Sequence, residues 1–349
     1  MSALQRLKSM TSEPKSSAFD IILTDAGNPV GRMLRKSFSE MGFKVAICDP
    51  VASGVDFHTF HSQDDANFSG QIKSIVKDTG AKILLPVFHP EVIAAHRNEF
   101  PTDVIIPVES AEKLKLLDDK VRCYSLVSEL GILQPRGYAS ADEVDNYPVV
   151  FKRALGHGGD SVYFPKFRKA LDNLVKNSSP GSFLITEEIE GEDVTVDALR
   201  WGGWFFAGAY RTILPQAKGA SVLRESIDAT ELTAQLKKIL ESVDYNGVCG
   251  ADFIVEKATG KAYFLECNPR FGGGLRSQTV SGFDMPALLL AAARGETLPD
   301  SINYRPGKLT KSRDGVKDYL KRRRKQGKLC WNDLFLCLFK KVDAVDLKR

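Results

Sequence analysis

Glu266 and Asn268 stand two residues apart in Phe264-Leu-Glu-Cys-Asn-Pro-Arg-Phe-Gly-Gly-Gly274, the stretch of this chain with the plainest chemistry. Alternation along a strand turns both side chains, a carboxylate and an amide, to one face. Asp252, in Gly-Ala-Asp-Phe-Ile-Val-Glu, reads as their partner across a hairpin turning at Thr259-Gly260. Oxygen donors of this kind suit Mg²⁺, which takes one or two carboxylates and fills its shell with substrate phosphates. Arg270 follows at once, a planar fork able to grip two oxygens of a charged group. Cys267 points to the opposite face and reads as core packing.

Holding a nucleoside triphosphate also needs cations for the phosphates, a backbone edge for the base and an acid for the sugar. Lys152 ends a strand-like run, and the glycines of Gly156-His-Gly-Gly159 offer main-chain N–H groups that can close over phosphate. Glu187, Glu188 and Ile189 form a hinge whose main chain can pair with adenine. Asp193 precedes a strand and can accept from ribose hydroxyls. Lys120, after Asp118-Asp119, is a further cation. Arg211 and Lys218 lie in a loop expected to cross the site mouth, suited to a substrate carboxylate or the terminal phosphate. The five histidines form no metal-spaced cluster, and no nucleophile–base pair for covalent catalysis is visible.

Taken in order, Lys120, Lys152, Gly156, Gly158, Gly159, the Glu187 hinge, Asp193, Asp252, Glu266, Asn268 and Arg270 resemble the ATP-grasp superfamily, from about residue 19 to about 300. The chain looks most like the stand-alone branch related to carbamoyl-phosphate synthetase large subunits and to carboxylate–amine ligases. The resemblance implies an α/β ATP-grasp fold, with an N-terminal parallel-sheet (pre-ATP-grasp) domain and two α+β lobes clamping ATP. It implies that Lys120 and Lys152 contact phosphates, that Glu187 and Ile189 hold adenine, and that Asp193 holds ribose. Asp252, Glu266 and Asn268 are then the ligands of one or two Mg²⁺, with Mn²⁺ as a substitute. The activity implied is an ADP-forming ligase that activates a carboxylate as an acyl phosphate for attack by an amine. A kinase-like phosphotransferase and a non-catalytic nucleotide-binding regulator are the competing readings. Thr186 stands where many members carry an acid or glutamine for the adenine amino group. The Gly272–Gly274 run differs from the serine-containing loop of carbamoyl-phosphate synthetases, which argues against bicarbonate as acceptor.

These residues need a scaffold, and the hydrophobic pattern supplies one. Strands are predicted over 19–24, 43–48, 82–87 and 104–107, with helices over 32–41, 72–79 and 92–100 between them; such alternation implies a parallel sheet. A glycine loop, Asp25-Ala-Gly-Asn-Pro-Val-Gly31, follows the first strand, and Asp49 ends the second, as in a dinucleotide site. The spacing is not Gly-x-Gly-x-x-Gly, however, and Pro29 occupies the turn. His89 and Glu91 lie at the carboxyl edge of this sheet, where substrate pockets form. One helix over 112–129 is predicted next, then strands at 148–153, on either side of 187–193, and at 194–198 and 204–211. Helices at 232–243 and 285–295 flank the acidic hairpin. The domains expected are a loose N-terminus (1–18), the α/β domain (19–110), the ATP-grasp domain (111–304, its lobes dividing near 190) and a basic tail (305–349).

Hydrophobic content of 43% and charged content of 26% are ordinary for a globular chain of 349 residues. The apolar run 287–293 is far too short for a membrane span, and the N-terminus lacks the apolar core of a secretory signal. Six scattered cysteines read as reduced thiols of a cytoplasmic protein. The net charge of +4 hides an asymmetry: residues 305–349 carry fifteen Lys and Arg against five acids. A tail of this kind either rests on anionic lipid or packs on the body or a partner subunit. The partners expected are small carboxylate and amine substrates, a membrane or protein contact through the tail, and a homodimer, with no nucleic acid.

Overall fold

The computed structural model describes residues 18–156, 161–215 and 221–345, which divide into two compact units. Of the described residues, one takes 18–111 together with Pro286–Leu298, and the other takes those of 112–285 and 299–345.

The first unit is built on a four-stranded sheet. β1 (Ile21–Thr24) lies between β2 (Val45–Asp49) and β4 (Ile83–Pro86), β3 (Phe57–His58) adds beyond β2, and all pairings are parallel. β1 and β4 are buried along their whole length, as a parallel sheet covered on both faces requires. The first helix begins at Pro29 rather than at Arg32. Asn28 caps it by accepting from the Gly31 N–H at 3.1 Å, and proline suits the first helical position. The second runs from Asp65, not from Ile72. The strand predicted over 104–107 shrinks to a single bridge between Ile83 and Ile105.

Asp49 does not serve as a ribose acid. Its carboxylate accepts from the backbone N–H groups of Gly27 at 2.9 Å, Val51 at 3.1 Å and Ala52 at 2.8 Å, and so closes the glycine loop on itself. A Cβ on Gly27 would lie 2.1 Å from that of Ala52.

His96 joins two carboxylates on this unit's surface, Glu99 at 2.6 Å and Asp65 at 2.8 Å. Hydrogen bonding to Glu99, aided by Asp65, raises the imidazole above its ordinary 6.5. The stabilisation is therefore complete below the unfolded-state value and disappears as pH climbs through the folded-state one. We expect His96→Ala to lower the thermal midpoint at about pH 5.5, below the ordinary histidine value, and the gap to the parent to close as pH is raised into the alkaline range. A gap between the two curves that ignores pH would contradict this.

In the second unit, β5 (Gly137–Tyr138), β6 (Val149–Arg153), β7 (Val162–Tyr163) and β8 (Phe183–Glu187) form an antiparallel sheet ordered β5-β8-β6-β7. A seven-stranded sheet comprises β9 (Gly191–Trp201), β10 (Trp204–Leu214), β11 (Leu223–Ile227), β12 (Gly247–Glu256), β13 (Ala262–Asn268), β14 (Leu309–Lys311) and β15 (Ala344–Val345). Its order is β13-β12-β9-β10-β11-β14-β15. The single helix predicted over 112–129 is two, Ala111–Asp118 and Lys120–Glu129. Asp119 divides them because its side chain caps the second, accepting from Val121 and Arg122.

The expected tail is no appendage. β14 pairs with β11, and Val316, Tyr319 and Cys337 pack with Leu214, Val222 and Leu223. An edge strand with an apolar face needs cover, and residues 309–345 supply it. Among the described residues, no helix is long and apolar enough to cross a membrane.

Candidate active site

Antiparallel pairing of β12 and β13 sets Asp252 directly opposite Glu266 and Gly250 opposite Asn268. A bulge follows, the register passing from Glu266 to Phe264, so that Leu265 is the extra residue. Asn268 stands on the same face as Glu266 and donates to Asp252 at 3.2 Å and to Glu266 at 3.4 Å. Its oxygen accepts from Arg270 at 2.8 Å. The amide thus braces the two acids and orients the arginine. Thr195, on β9, donates to Asp252 at 2.6 Å. Cys267 faces the other way, as expected, and lies against Cys123 and Cys249; those contacts and burial keep its thiol protonated.

Two lysines reach this pair of acids from separate elements. Lys120, first residue of its helix and 6% exposed, lies 3.3 Å from Glu266 and donates to the Gly156 carbonyl at 3.0 Å. Lys152, on β6 and 7% exposed, donates to the Leu265 carbonyl at 3.4 Å. Buried ammonium groups persist only when paired. Burial raises the Asp252 carboxyl to about 7, and the neighbouring Glu266 charge adds to the rise. Burial also pushes Glu266 up, but Lys120 and Lys152 outweigh it and hold Glu266 below the usual carboxylate range. Burial lowers Lys152, and the Lys120 charge lowers it further. Arg270 is likewise lowered by burial, against the pull of Asp118, Glu266 and Asp252. Two acids, two lysines and an arginine converge here, the lysines buried and the other three half-buried.

Among the described residues, no group of three or more His, Cys, Asp or Glu side chains is placed to hold a metal. A divalent ion here would rest on Asp252 and Glu266 and take further oxygens from its substrate, which is how Mg²⁺ binds. Two half-buried carboxylates side by side, one of them raised to about 7, fit that role. Asn268 fits it less well, since it aims its NH₂ group between them.

Other expected residues are placed differently. Gly156 has φ +137, and a Cβ there would meet that of Ser161 at 2.6 Å, so glycine is required. Gly158, Gly159 and Lys218 lie outside the described residues. Glu187 ends β8 with its N–H donating to the Arg136 carbonyl and its carboxylate accepting the Arg136 N–H at 2.8 Å. That N–H is taken by the sheet, and Glu188 and Ile189 lie in the link between β8 and β9. Asp193 sits exposed near the start of β9. Arg211 is held by Glu225 at 2.9 Å and lies 3.6 Å from Glu192, a restraint that no local sequence signal announces. A cavity of about 560 Å³ between Arg136, Tyr147 and Glu190 is lined by none of Lys120, Lys152, Asp252 or Glu266. In the first unit, His89 lies 3.5 Å from Glu91 and lines a cavity of about 300 Å³ with Asp25, which burial raises to about 6.

Sequence reasoning missed the residues beneath the glycine run. Asp197 (β9), Tyr210 (β10) and Arg224 (β11) are buried, and Arg224 donates to the carbonyls of Gly273 and Ser221 while standing 5.5 Å from the Tyr210 ring. Gln278 donates to Asp197 at 3.1 Å. The usable signal was a charged residue at inward-facing positions of apolar strands.

Residues 117–274, a little under half of the chain, match the family model of the ATP-grasp domain. The arginine-specific large chain of carbamoyl phosphate synthase from Bacillus subtilis is 25% identical over 187 residues, 46% of this chain and 17% of the relative. D-alanine–D-alanine ligase from Fusobacterium nucleatum is 25% identical over 166 residues, 43% of this chain and 55% of the relative. The chain thus spans about half, or much less, of the curated relatives it matches. Among solved structures, the biotin carboxylase domain of Hydrogenobacter thermophilus 2-oxoglutarate carboxylase, crystallised with MgADP and bicarbonate, superposes with a TM-score of 0.68. It is 16% identical, with 84% of this chain and 73% of that one covered, a likeness of fold alone.

Proposed function

From the ATP-grasp domain carried by residues 117–274, we propose that the chain is an ADP-forming ligase that joins a carboxylate to an amine. The observation that carries this reading is the meeting of Lys120 and Lys152, both buried, above Glu266 and its cross-strand partner Asp252. Lys120 and Lys152 neutralise nucleotide phosphates, and the N–H groups of the Gly156 loop close over them. Glu188 and Ile189 pair with adenine through the main chain, and Asp193 accepts from ribose. Asp252 and Glu266 hold Mg²⁺, with the Asn268 oxygen joining them only if its amide turns over. When bound, the ion neutralises charge on the β- and γ-phosphates.

The γ-phosphoryl group passes to a substrate carboxylate, the amine then displaces phosphate, and ADP and phosphate leave. Such transfer asks for positioning and charge neutralisation more than for covalent work by the protein. Arg270, held by Asn268, bears on the transferred group or the tetrahedral adduct, where a preorganised donor is most effective. Arg211 and Lys218 are assigned to the substrate side of the site.

The test is phosphate release from Mg-ATP with a panel of carboxylic acids, with and without amines. Turnover requiring both partners is the expected result. Turnover with the acid alone would make the chain a phosphotransferase, and nucleotide binding with no turnover would make it a regulator.

A further inference from the structure

Residues 331–339 form a short helical run, α-helical over Trp331–Leu334 and wider over Phe335–Phe339. One side of it is anchored. Cys337 is buried with Leu214, Val222 and Val316, and Leu336 packs beside them. Asp333 is buried too, and accepts from Tyr319 at 2.7 Å, Arg323 at 3.0 Å and the Cys330 N–H at 3.1 Å.

The other side is apolar as well, yet among the described residues none covers it. Trp331 is 81% exposed, Phe335 52% and Leu338 55%, at the i, i+4 and i+7 spacing of one helix face. A helix apolar all round is normally covered all round. Cations flank this ridge: Lys321, Arg324, Lys325 and Lys328 before it, Lys340 and Lys341 after it, all exposed. Residues 321–341 hold eight Lys and Arg and a single acid, Asp333, which is turned inward.

We propose that this ridge docks the chain onto an anionic lipid surface. Trp331, Phe335 and Leu338 enter the boundary between headgroups and acyl chains, and the flanking lysines meet the lipid phosphates. An apolar face with tryptophan, bordered by basic residues, is the chemistry of an interfacial helix. Charge separates this occupant from a second copy of the chain. A two-fold contact brings one patch against itself, here setting cation against cation. The proposal is independent of what the nucleotide site does, since the ridge and the Lys120–Glu266 cluster share no residue.

The test uses the full chain and vesicles of phosphatidylcholine alone or with a third phosphatidylglycerol. The parent should sediment with the anionic vesicles, less so as salt rises, and hardly at all with the neutral ones. Trp331→Ser/Phe335→Ser/Leu338→Ser should reduce vesicle binding at least tenfold, and Lys340→Glu/Lys341→Glu by a similar factor. Because all five positions are exposed, both variants should keep the parent's thermal midpoint. Equal binding by parent and triple variant would overturn the proposal. So would binding to a single-stranded oligonucleotide but not to vesicles, or a dimer that the triple variant dissolves while vesicles go unbound.

Discussion

Glu266→Gln should lower ATP-dependent phosphate release by about a thousandfold or more, a loss of about 4 kcal/mol of transition-state stabilisation. The substitution keeps shape and removes one charge. That charge lies 3.3 Å from Lys120, opposes Asp252 across the β12–β13 pair, and is one of the two carboxylates to which we assign a divalent ion. Without it the lysines lose their main counter-charge, and an ion held as proposed would lose one of its two carboxylates. Parallel measurement of the thermal midpoint separates this from unfolding, since Lys120 retains the Gly156 carbonyl as a partner. Phosphate release at the parent's rate would remove Glu266 from the reaction.

Gly274→Ala should destabilise the second unit by about 3 kcal/mol or more, enough to lower the thermal midpoint by roughly 6–12 °C in a unit of this size. A Cβ at this position would lie 2.1 Å from the Tyr210 ring and 2.4 Å from the Asp197 carboxylate. Neither can retreat. Asp197 is buried and bonded to Gln278, and Tyr210 is buried beside Arg224. Gly272→Ala is the control: its Cβ would find its nearest neighbour at 3.4 Å, an ordinary contact, and stability should hardly move. An unchanged midpoint for Gly274→Ala would mean that the loop is free of its bed and that the glycines serve some other purpose. If the loop shifts instead of unfolding, the loss should appear in phosphate release, because Arg270 lies only four residues before it.

The acidic hairpin was legible because its information is local. Two alternating strands and a turn at Thr259-Gly260, where Gly260 takes φ +72, bring Asp252 close to Glu266 and Asn268, and the Leu265 bulge, which alternation does not announce, puts all three on one face. The parallel sheet of the first unit was legible for a similar reason, in short apolar strands separated by helices. Helix starts were missed where a cap decides them, at Asn28 and Asp119, since a capping side chain acts against the hydrophobic period.

What sequence by itself determined, then, is the chemistry on offer: which acids, cations and glycines stand at which strand ends. Tertiary structure decided which of them are available for it. Glu187 is drawn into the sheet by Arg136, Arg211 is tied by Glu225, and Arg224 grips Gly273 from 49 residues away. It also made the basic tail part of the large sheet, through β14 on β11, and left Trp331, Phe335 and Leu338 facing outward. The physical reason is range. Periodicity and turn chemistry are written in neighbouring residues, whereas the partner of a buried charge is selected by the packing of strands far apart in the chain.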